Sequence, residues 1–148
     1  MKLENKEFGF DSFRSEMTKL KQEQHFDYLV TIIGEDFGPE EGLGCIYILE
    51  NTDTHERLSV KQLAKKVGDD YVIPSLYYVW ADVNLLEREV FDFLGIKFLG
   101  HPDMRRLYMR NDFEGWPLRK DFDMSPENNR FPTTDEPESD WTLSLIHI

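Results

Sequence analysis

Residues 87–122 read EREVFDFLGIKFLGHPDMRRLYMRNDFEGWPLRKDF, a helix-like opening followed by turns and basic residues. After Gly95 come Gly-His-Pro, Asn-Asp and Glu-Gly-Trp-Pro, which are turn-forming combinations. So many Gly, Pro and charged residues cannot simply fill a core. The segment is therefore predicted to fold as a specific, ordered surface.

The opening of this segment completes a predicted helix over residues 82–94. Its apolar face is supplied at i, i+4, i+7 and i+8 by Leu86, Val90, Phe93 and Leu94. Asn84 is the expected N-cap, because Glu87 follows three residues later as in a capping box. Gly95 is expected to end the helix in the left-handed conformation.

Before this helix the sequence is predicted to form a surface helix and several strands. The helix has Asp11 or Ser12 as its expected N-cap, and the apolar positions at helical spacing are Phe10, Phe13, Met17 and Leu20. Residues 25–33 and 45–50 are rich in aromatic or β-branched side chains and are predicted strands. Residues 34–44 contain four Gly and one Pro and are predicted to be a loop.

A hairpin is predicted to pair the second of these strands with residues 56–61, across the turn sequence Asn-Thr-Asp-Thr. Residues 61–67 fit a short helix or the end of a strand. Residues 71–81 fit a strand or the lead-in to the next helix, and Pro74 excludes a regular central strand at its own position.

Composition limits the possible functions of this 148-residue protein. Its net charge of −12 argues against nucleic acid as a general partner, because phosphate contacts need a basic face. Cys45 is the only cysteine, so a disulfide within the chain and a self-contained four-cysteine iron–sulfur cluster are excluded. With no signal peptide and no long apolar run, a soluble, cytoplasmic protein is expected.

A change of composition divides the sequence into two parts. Residues 1–122 are predicted to form one domain, whereas residues 123–148 are predicted to be an acidic, Pro-containing tail, extended or bound to a partner. The terminal residues 143–148 are apolar again, which is compatible with packing on the domain or on a partner.

Glu87 and Glu89 could be considered an acid/base pair. However, side chains two residues apart on a helix point about 200° away from each other, so they cannot converge on one substrate atom. The expected role is structural: Arg88, Lys97 or the arginines downstream pair with these carboxylates and fix the helix to the following loop.

His101 has neither metal-ligand partners at a suitable spacing nor a nucleophile in its neighbourhood. It is expected to be held in its turn by a neighbouring carboxylate. No nucleotide-binding glycine motif is present in the sequence.

The basic residues after His101 are expected to contact another protein. They are Arg105, Arg106, Arg110, Arg119 and Lys120, interspersed with Tyr108 and Trp116. Arginine forms bidentate pairs at interfaces, and Arg, Trp and Tyr are enriched at binding hot spots. We predict a partner interface formed by Arg105, Arg106, Trp116, Arg119 and Lys120.

Residues 87–122 resemble the 30-kDa subunit family of respiratory complex I, the proton-translocating NADH–quinone oxidoreductase. The family signature is matched at its spacing by Glu87, Arg88, Glu89, Asp92, Phe93, Leu94, His101, Arg105, Leu107 and Tyr108. A second family block resembles residues 113–122, although Trp116 replaces the usual His, and upstream Leu85 stands where an aromatic is common. The resemblance covers about residues 10–123.

The resemblance implies a non-redox subunit of the peripheral arm without catalytic, cofactor-binding or metal-binding residues of its own. NADH, FMN, iron–sulfur clusters and quinone would belong to partner subunits. The implied partners are the quinone-site subunit, similar to hydrogenase large subunits, and the iron–sulfur subunits. The membrane would be met only through the complex, on the cytoplasmic side of the bacterial inner membrane.

The implied fold is α+β: a small, mostly antiparallel or mixed sheet packed against two or three helices, with an extended C-terminal tail. Relatives of the family also occur in energy-converting hydrogenases and formate hydrogenlyases, which gives an alternative complex. A remoter alternative is a small hydrolase or lyase that uses His101 with Asp103 or Glu89.

Overall fold

The computed structural model describes residues 4–123, so apart from Asp123 the predicted tail lies outside the described residues. The elements follow in chain order: β1 (Glu4–Glu7), α1 (Phe13–Gln22), β2 (Tyr28–Asp36), β3 (Leu43–Glu50), β4 (Arg57–Leu63), β5 (Lys65–Val67), β6 (Asp70–Pro74), α2 (Val83–Leu94) and β7 (Ile96–Leu99). Within residues 4–123, no helix is both long enough and apolar enough to cross a bilayer.

The strands form two mixed sheets. The first has four strands in the order β1-β4-β3-β2, with β1 parallel to β4 and the other pairs antiparallel. The second has three strands in the order β5-β6-β7, antiparallel and then parallel. The predicted α+β class is confirmed, and the β3–β4 hairpin is the one expected from the turn sequence at residues 51–54.

The core lies between the inner face of the first sheet and the two helices. Alternation along β3 buries Cys45, Tyr47 and Leu49 on this face. The α1 side chains Phe13 and Met17 are also fully buried, and the Phe13 ring centroid is 5.2 Å from that of Tyr47. The predicted apolar face of α1 is therefore the face that packs on the sheet.

Gly34 explains an error in the predicted loop over residues 34–44. A Cβ at Gly34 would lie 2.7 Å from Leu94 Cδ1 and 2.8 Å from Val90 Cγ1, because α2 crosses β2 at this residue. The glycine is thus a contact residue inside a strand, and the connecting turn is confined to residues 37–42.

The structure decides between the alternatives for residues 61–67 and 71–81. Residues 61–67 contain the end of β4 and the short strand β5, so the strand alternative is correct. Residues 71–81 contain most of β6 and then a turn, in which the Val79 and Trp80 N–H groups both donate to the Leu76 carbonyl. Pro74 is the last residue of β6, the central strand of the second sheet, and is in register with Leu99; the central strand therefore reaches Pro74 but does not continue through it.

We expect Gly34→Val to lower the free energy of unfolding by about 2 kcal/mol, because the added side chain overpacks the contact between α2 and β2. Gly9→Val is the control, since a Cβ there meets Ser12 Oγ at an ordinary 3.4 Å; its effect should stay within about 0.5 kcal/mol. Urea unfolding measures both. Equal losses in the two variants would contradict the close contact at Gly34.

Candidate functional site

The residues predicted as a site lie on α2 and on residues 100–122, which we call the arginine-rich loop. The loop follows β7 and contains no helix or strand. It folds back over the C-terminal end of α2, where Leu94 and Gly95 are buried. The site is therefore built from the hydrogen bonds that join the loop to the helix.

Gly95 ends α2 as predicted. Its φ of 77° is in the left-handed region, and its N–H donates to the Phe91 carbonyl at 2.8 Å. A helix leaves its last four carbonyls without partners inside the helix. Gly95 supplies a partner for one of these four.

The arginine-rich loop supplies the partners of the other three carbonyls. The donors are Arg106 Nη1 to the Asp92 carbonyl at 3.3 Å, the Leu118 N–H to Phe93 at 3.0 Å, and Arg119 Nε to Leu94 at 2.6 Å. Two of the three donors are guanidinium groups, whose positive charge also complements the negative end of the helix dipole. The loop thus completes the helix.

Asp92 is the centre of the loop attachment. Its buried carboxylate oxygen Oδ2 accepts three successive backbone N–H groups, from Leu107 at 3.2 Å, Tyr108 at 2.6 Å and Met109 at 2.9 Å. Its Oδ1 lies 3.4 Å from Arg106 Nη1. The helix dipole disfavours a negative charge near the C terminus of a helix. The three N–H groups and the Arg106 guanidinium offset this unfavourable interaction by surrounding the Asp92 carboxylate with positive charge.

Arg88 holds the same part of the loop from one turn earlier in α2. Its Nε donates to the Arg105 carbonyl and its Nη2 to the Arg106 carbonyl, both at 3.2 Å. Arg88 and Asp92 are four residues apart and therefore share one helix face. Together they bind the carbonyls of residues 105 and 106 and the amides of residues 107–109.

Trp116 packs between the loop and the helix end. Its ring centroid lies 4.3 Å from the Arg106 guanidinium carbon and 5.3 Å from the Phe91 ring centroid. A Cβ on Gly95 would lie 2.6 Å from Trp116 Cε2, so the ring rests directly on this glycine. The Trp that departs from the family pattern thus fills the space beside the helix terminus.

Glu87 lies on a different face of α2 from Arg88 and Asp92 and is fully buried. Its Oε1 accepts the Leu76 N–H at 2.8 Å and its Oε2 accepts the Ser75 hydroxyl at 2.7 Å. Burial raises the pKa of this carboxyl to about 7, although the two hydrogen bonds and the charge of Arg14 oppose the increase. Glu87 therefore ties α2 to the turn that follows β6.

The predicted capping box is wrong. The N-cap residue of α2 is Asp82, and Asn84 lies within the first turn with its side-chain oxygen buried and lacking a hydrogen-bond partner in the structure. The predicted ion pairing of Glu87 is also wrong, since the downstream Arg106 pairs with Asp92. The sequence signal that was missed is the position of Glu87 on the inward-facing side of the helix, which indicates a buried carboxylate.

Two further predictions concern Glu89 and Lys97. Glu89 is exposed whereas Glu87 is buried, so the two carboxylates diverge as the helix geometry predicts. Lys97 Nζ lies 3.2 Å from Asp70 Oδ2 and thus pairs across the second sheet, where a glutamate of α2 was the predicted partner.

His101 is enclosed, with no exposed side-chain surface. Its Nδ1 accepts the Asp103 N–H at 3.0 Å, so the neutral ring carries its proton on Nε2, which lies 3.2 Å from the Asn84 carbonyl. Glu87 Oε2 is 3.9 Å from the same nitrogen. The ring therefore links the loop to the start of α2 and offers no nitrogen to a substrate.

The predicted interface residues fall into two groups. Arg106, Trp116 and Arg119 lie against the helix end, whereas Arg105 and Lys120 are exposed. Arg105 forms two hydrogen bonds with the Asp103 carboxylate at 2.6 and 2.8 Å, and this pairing lowers the pKa of that carboxyl. Within residues 4–123, no group of three or more His, Cys, Asp or Glu side chains is arranged to hold a metal ion.

Comparison with known proteins gives one family. Residues 9–128 match the family described as "Respiratory-chain NADH dehydrogenase, 30 Kd subunit". The C/D subunit of an NADH-quinone oxidoreductase from Phocaeicola vulgatus is 44% identical over 131 residues, which are 88% of this chain and 25% of that protein. The C subunit of the Moorella thermoacetica oxidoreductase is 35% identical over 117 residues, 79% of this chain and 78% of that protein. The protein thus spans about a quarter of the length of the C/D relatives.

Similar solved structures include the following two. A trypsin-resistant fragment of Nqo5 has a TM-score of 0.59 and 29% identity, covering 66% of this chain and 79% of that one. A component of the membrane-bound sulfane sulfur reductase, an archaeal respiratory membrane complex, has a TM-score of 0.73 and 26% identity, covering 90% and 82%.

Asp92→Asn should destabilise the protein by about 3 kcal/mol, because one amide side chain cannot satisfy both the three N–H donors and Arg106. Asp112→Asn is the control, since Asp112 forms an exposed pair with Arg110 and should contribute less than about 1 kcal/mol. Urea unfolding compares the two. A loss for Asp92→Asn no larger than that of the control would contradict its role in holding the loop.

Glu87 should make stability depend on pH. Between its unfolded pKa near 4.5 and its folded pKa of about 7, the folded protein keeps a proton that the unfolded one has released. The free energy of unfolding should therefore fall as pH rises through this window, by up to about 3 kcal/mol. Glu87→Gln keeps an acceptor for Leu76 and a donor for Ser75 but cannot ionise.

The measurement is the unfolding free energy of the wild type minus that of Glu87→Gln. We expect this difference to decrease from about pH 4.5 to about pH 8. A difference that stays constant over this range, or that increases, would show that the pKa of Glu87 is not raised in the folded protein.

Proposed function

This chain belongs to the family of the 30-kDa subunit of respiratory-chain NADH dehydrogenase, and we propose that it is a non-redox subunit in the peripheral arm of a proton-translocating NADH–quinone oxidoreductase. Its role there is positional. It holds the quinone-site subunit and the iron–sulfur subunits of the complex at the distances that electron transfer requires. The complex attaches it to the cytoplasmic side of the bacterial inner membrane.

One observation supports this proposal: the loop has exposed side chains on residues whose backbone groups are fixed by hydrogen bonds to α2 and to Asp36. They are Arg105, Tyr108, Leu118 and Lys120, which we call the outer surface of the loop. The Arg105 carbonyl is bound by Arg88, and the N–H groups of the other three are bound by Asp92, by the Phe93 carbonyl and by Asp36.

A clamped surface suits an assembly role. Tyr108 and Leu118 are 67% and 60% exposed, and in the sequence the exposed cations Arg105 and Lys120 lie three and two residues from them. Because the backbone is already fixed, little conformational entropy remains to be lost when a partner binds. In this proposal Arg106, Trp116 and Arg119 act beneath the interface by holding its shape, and Arg105 and Lys120 meet the partner.

The proposal places NADH, FMN, the iron–sulfur clusters and quinone in partner subunits. A cluster takes about four cysteine ligands, and the only cysteine here, Cys45, is buried on β3, where burial raises the pKa of its thiol. The residues of this protein therefore do not suit cluster binding by themselves.

The alternatives receive less support. The curated relatives described above are subunits of NADH-quinone oxidoreductases, so a hydrogenase or formate hydrogenlyase is not favoured. A hydrolase or lyase would need an accessible base, but both nitrogens of the His101 ring have partners and the ring is enclosed.

Reversing the two outer charges tests the assembly role. In the source organism, Arg105→Glu with Lys120→Glu should lower both the assembled complex and membrane NADH–quinone reductase activity by about tenfold, because like charges at an interface cost several kcal/mol. The melting temperature of the free protein should barely change, since exposed ion pairs contribute little.

Lys19→Glu with Lys65→Glu is the matched control, because it changes the net charge equally at exposed residues whose side chains lie beside Glu16 and over the Phe10 ring. It should leave assembly within about twofold of the wild type. Normal assembly and activity with the Arg105 and Lys120 variant would overturn the proposed interface.

A further inference from the structure

β2 has an outer edge that faces away from the rest of the first sheet. It is the last strand in the order β1-β4-β3-β2, and over residues 4–123 its only strand partner is β3. With nine residues it is long for an edge strand. An exposed edge of this length presents a row of N–H and C=O groups to any strand that can reach it.

An apolar groove of about 270 Å³ runs between this edge and α2. Residues 31–34 of β2 form one wall, and Val90, Phe93 and Leu94 form the other. Leu118 of the arginine-rich loop also lines it. At its base the groove is closed by the contact between Gly34 and α2, where the missing side chain leaves room for Val90 and Leu94.

The outer side of the same edge is apolar as well. Ile33 is 47% exposed and pairs across the sheet with Ile46, which is half-buried. Successive side chains of a strand point to opposite faces. A strand added at this edge would therefore place one set of side chains in the groove and the other set beside Ile33.

Each face of this edge carries an acidic residue. Glu89 lines the groove from α2, whereas Glu35, next to Gly34, lies on the same face of β2 as Ile33. Both carboxylates are exposed, in a protein whose net charge is −12. A basic residue in the occupant would complement them.

We propose that the β2 edge and its groove bind an extended segment of a partner subunit, apolar at alternate positions and carrying at least one Lys or Arg, which adds a fifth strand to the sheet. This inference rests on the proposed function. Leu118 belongs to both the groove and the outer surface of the loop, so the strand site continues the interface proposed for the partner subunits. Strand addition is an established mode of recognising extended segments, with pockets that read alternate side chains.

Hydrogen exchange tests strand addition in the wild type. Amides of residues 28–36 that point away from β3 should exchange freely in the isolated protein and become at least about tenfold slower in the complex purified from membranes. Amides that already bond to β3 serve as the internal reference. Copurification without any slowing at β2 would overturn the strand site while leaving the proposed function standing.

Ile33→Lys tests the site by placing a charge on the edge, a device that blocks edge pairing. It should reduce recovery of the protein with the complex by about tenfold, because the groove edge would have to bury a charge against the added strand. Val67→Lys is the matched control, since Val67 is 54% exposed on an edge strand of the second sheet. It should stay within about twofold of the wild type.

Other occupants give different results, and each would overturn the proposal. Slow exchange at β2 in the isolated protein that is lost on deletion of residues 124–148 would identify its own C-terminal segment. Slow exchange that is lost on dilution would identify a second copy. If Ile33→Lys does not fold, the wild-type exchange result decides. If the wild-type protein does not copurify with the complex, the proposed function and this inference both fail.

Discussion

The C-terminal end of α2 is buried, and its last four carbonyls must find donors there. Gly95 satisfies one, and the arginine-rich loop satisfies the others through Arg106, Arg119 and the Leu118 N–H. This requirement makes the position of the loop a consequence of the helix. A buried helix end without these donors would cost about 1–3 kcal/mol for each unpaired group, so the loop and the helix are expected to be stable only together.

Polar residues of α2 attach the helix both to the turn that precedes it and to the loop that follows it. Glu87 binds the turn before the helix, while Arg88 and Asp92 bind the loop after it. Buried ionic groups of this kind add little net stability, but they penalise every arrangement in which they lose their partners. We infer that their role is to select one arrangement of the loop. An assembly subunit benefits from such selection because its partners then meet a preformed surface.

Several features were predictable because they depend on local patterns. Both helices, the β3–β4 hairpin and the left-handed Gly95 follow from apolar spacing and turn residues. The errors occurred where distant contacts decide the outcome. Gly34 belongs to a strand because α2 lies against it, and Glu87 faces inward because the turn at residues 75–76 supplies its donors. Likewise, the arginines were predicted at an interface from composition, but composition does not distinguish Arg106, which binds α2, from Arg105, which is exposed.

In this structure α2 holds the arginine-rich loop in one conformation before any partner binds. Residue-resolved hydrogen exchange of the isolated protein measures this directly at the amides of Leu107, Tyr108 and Met109, because all three donate to Asp92. We expect these amides to exchange at least about a hundredfold more slowly than in an unstructured peptide. Exchange at the unstructured rate would contradict it, since the loop would then be ordered only by its partners.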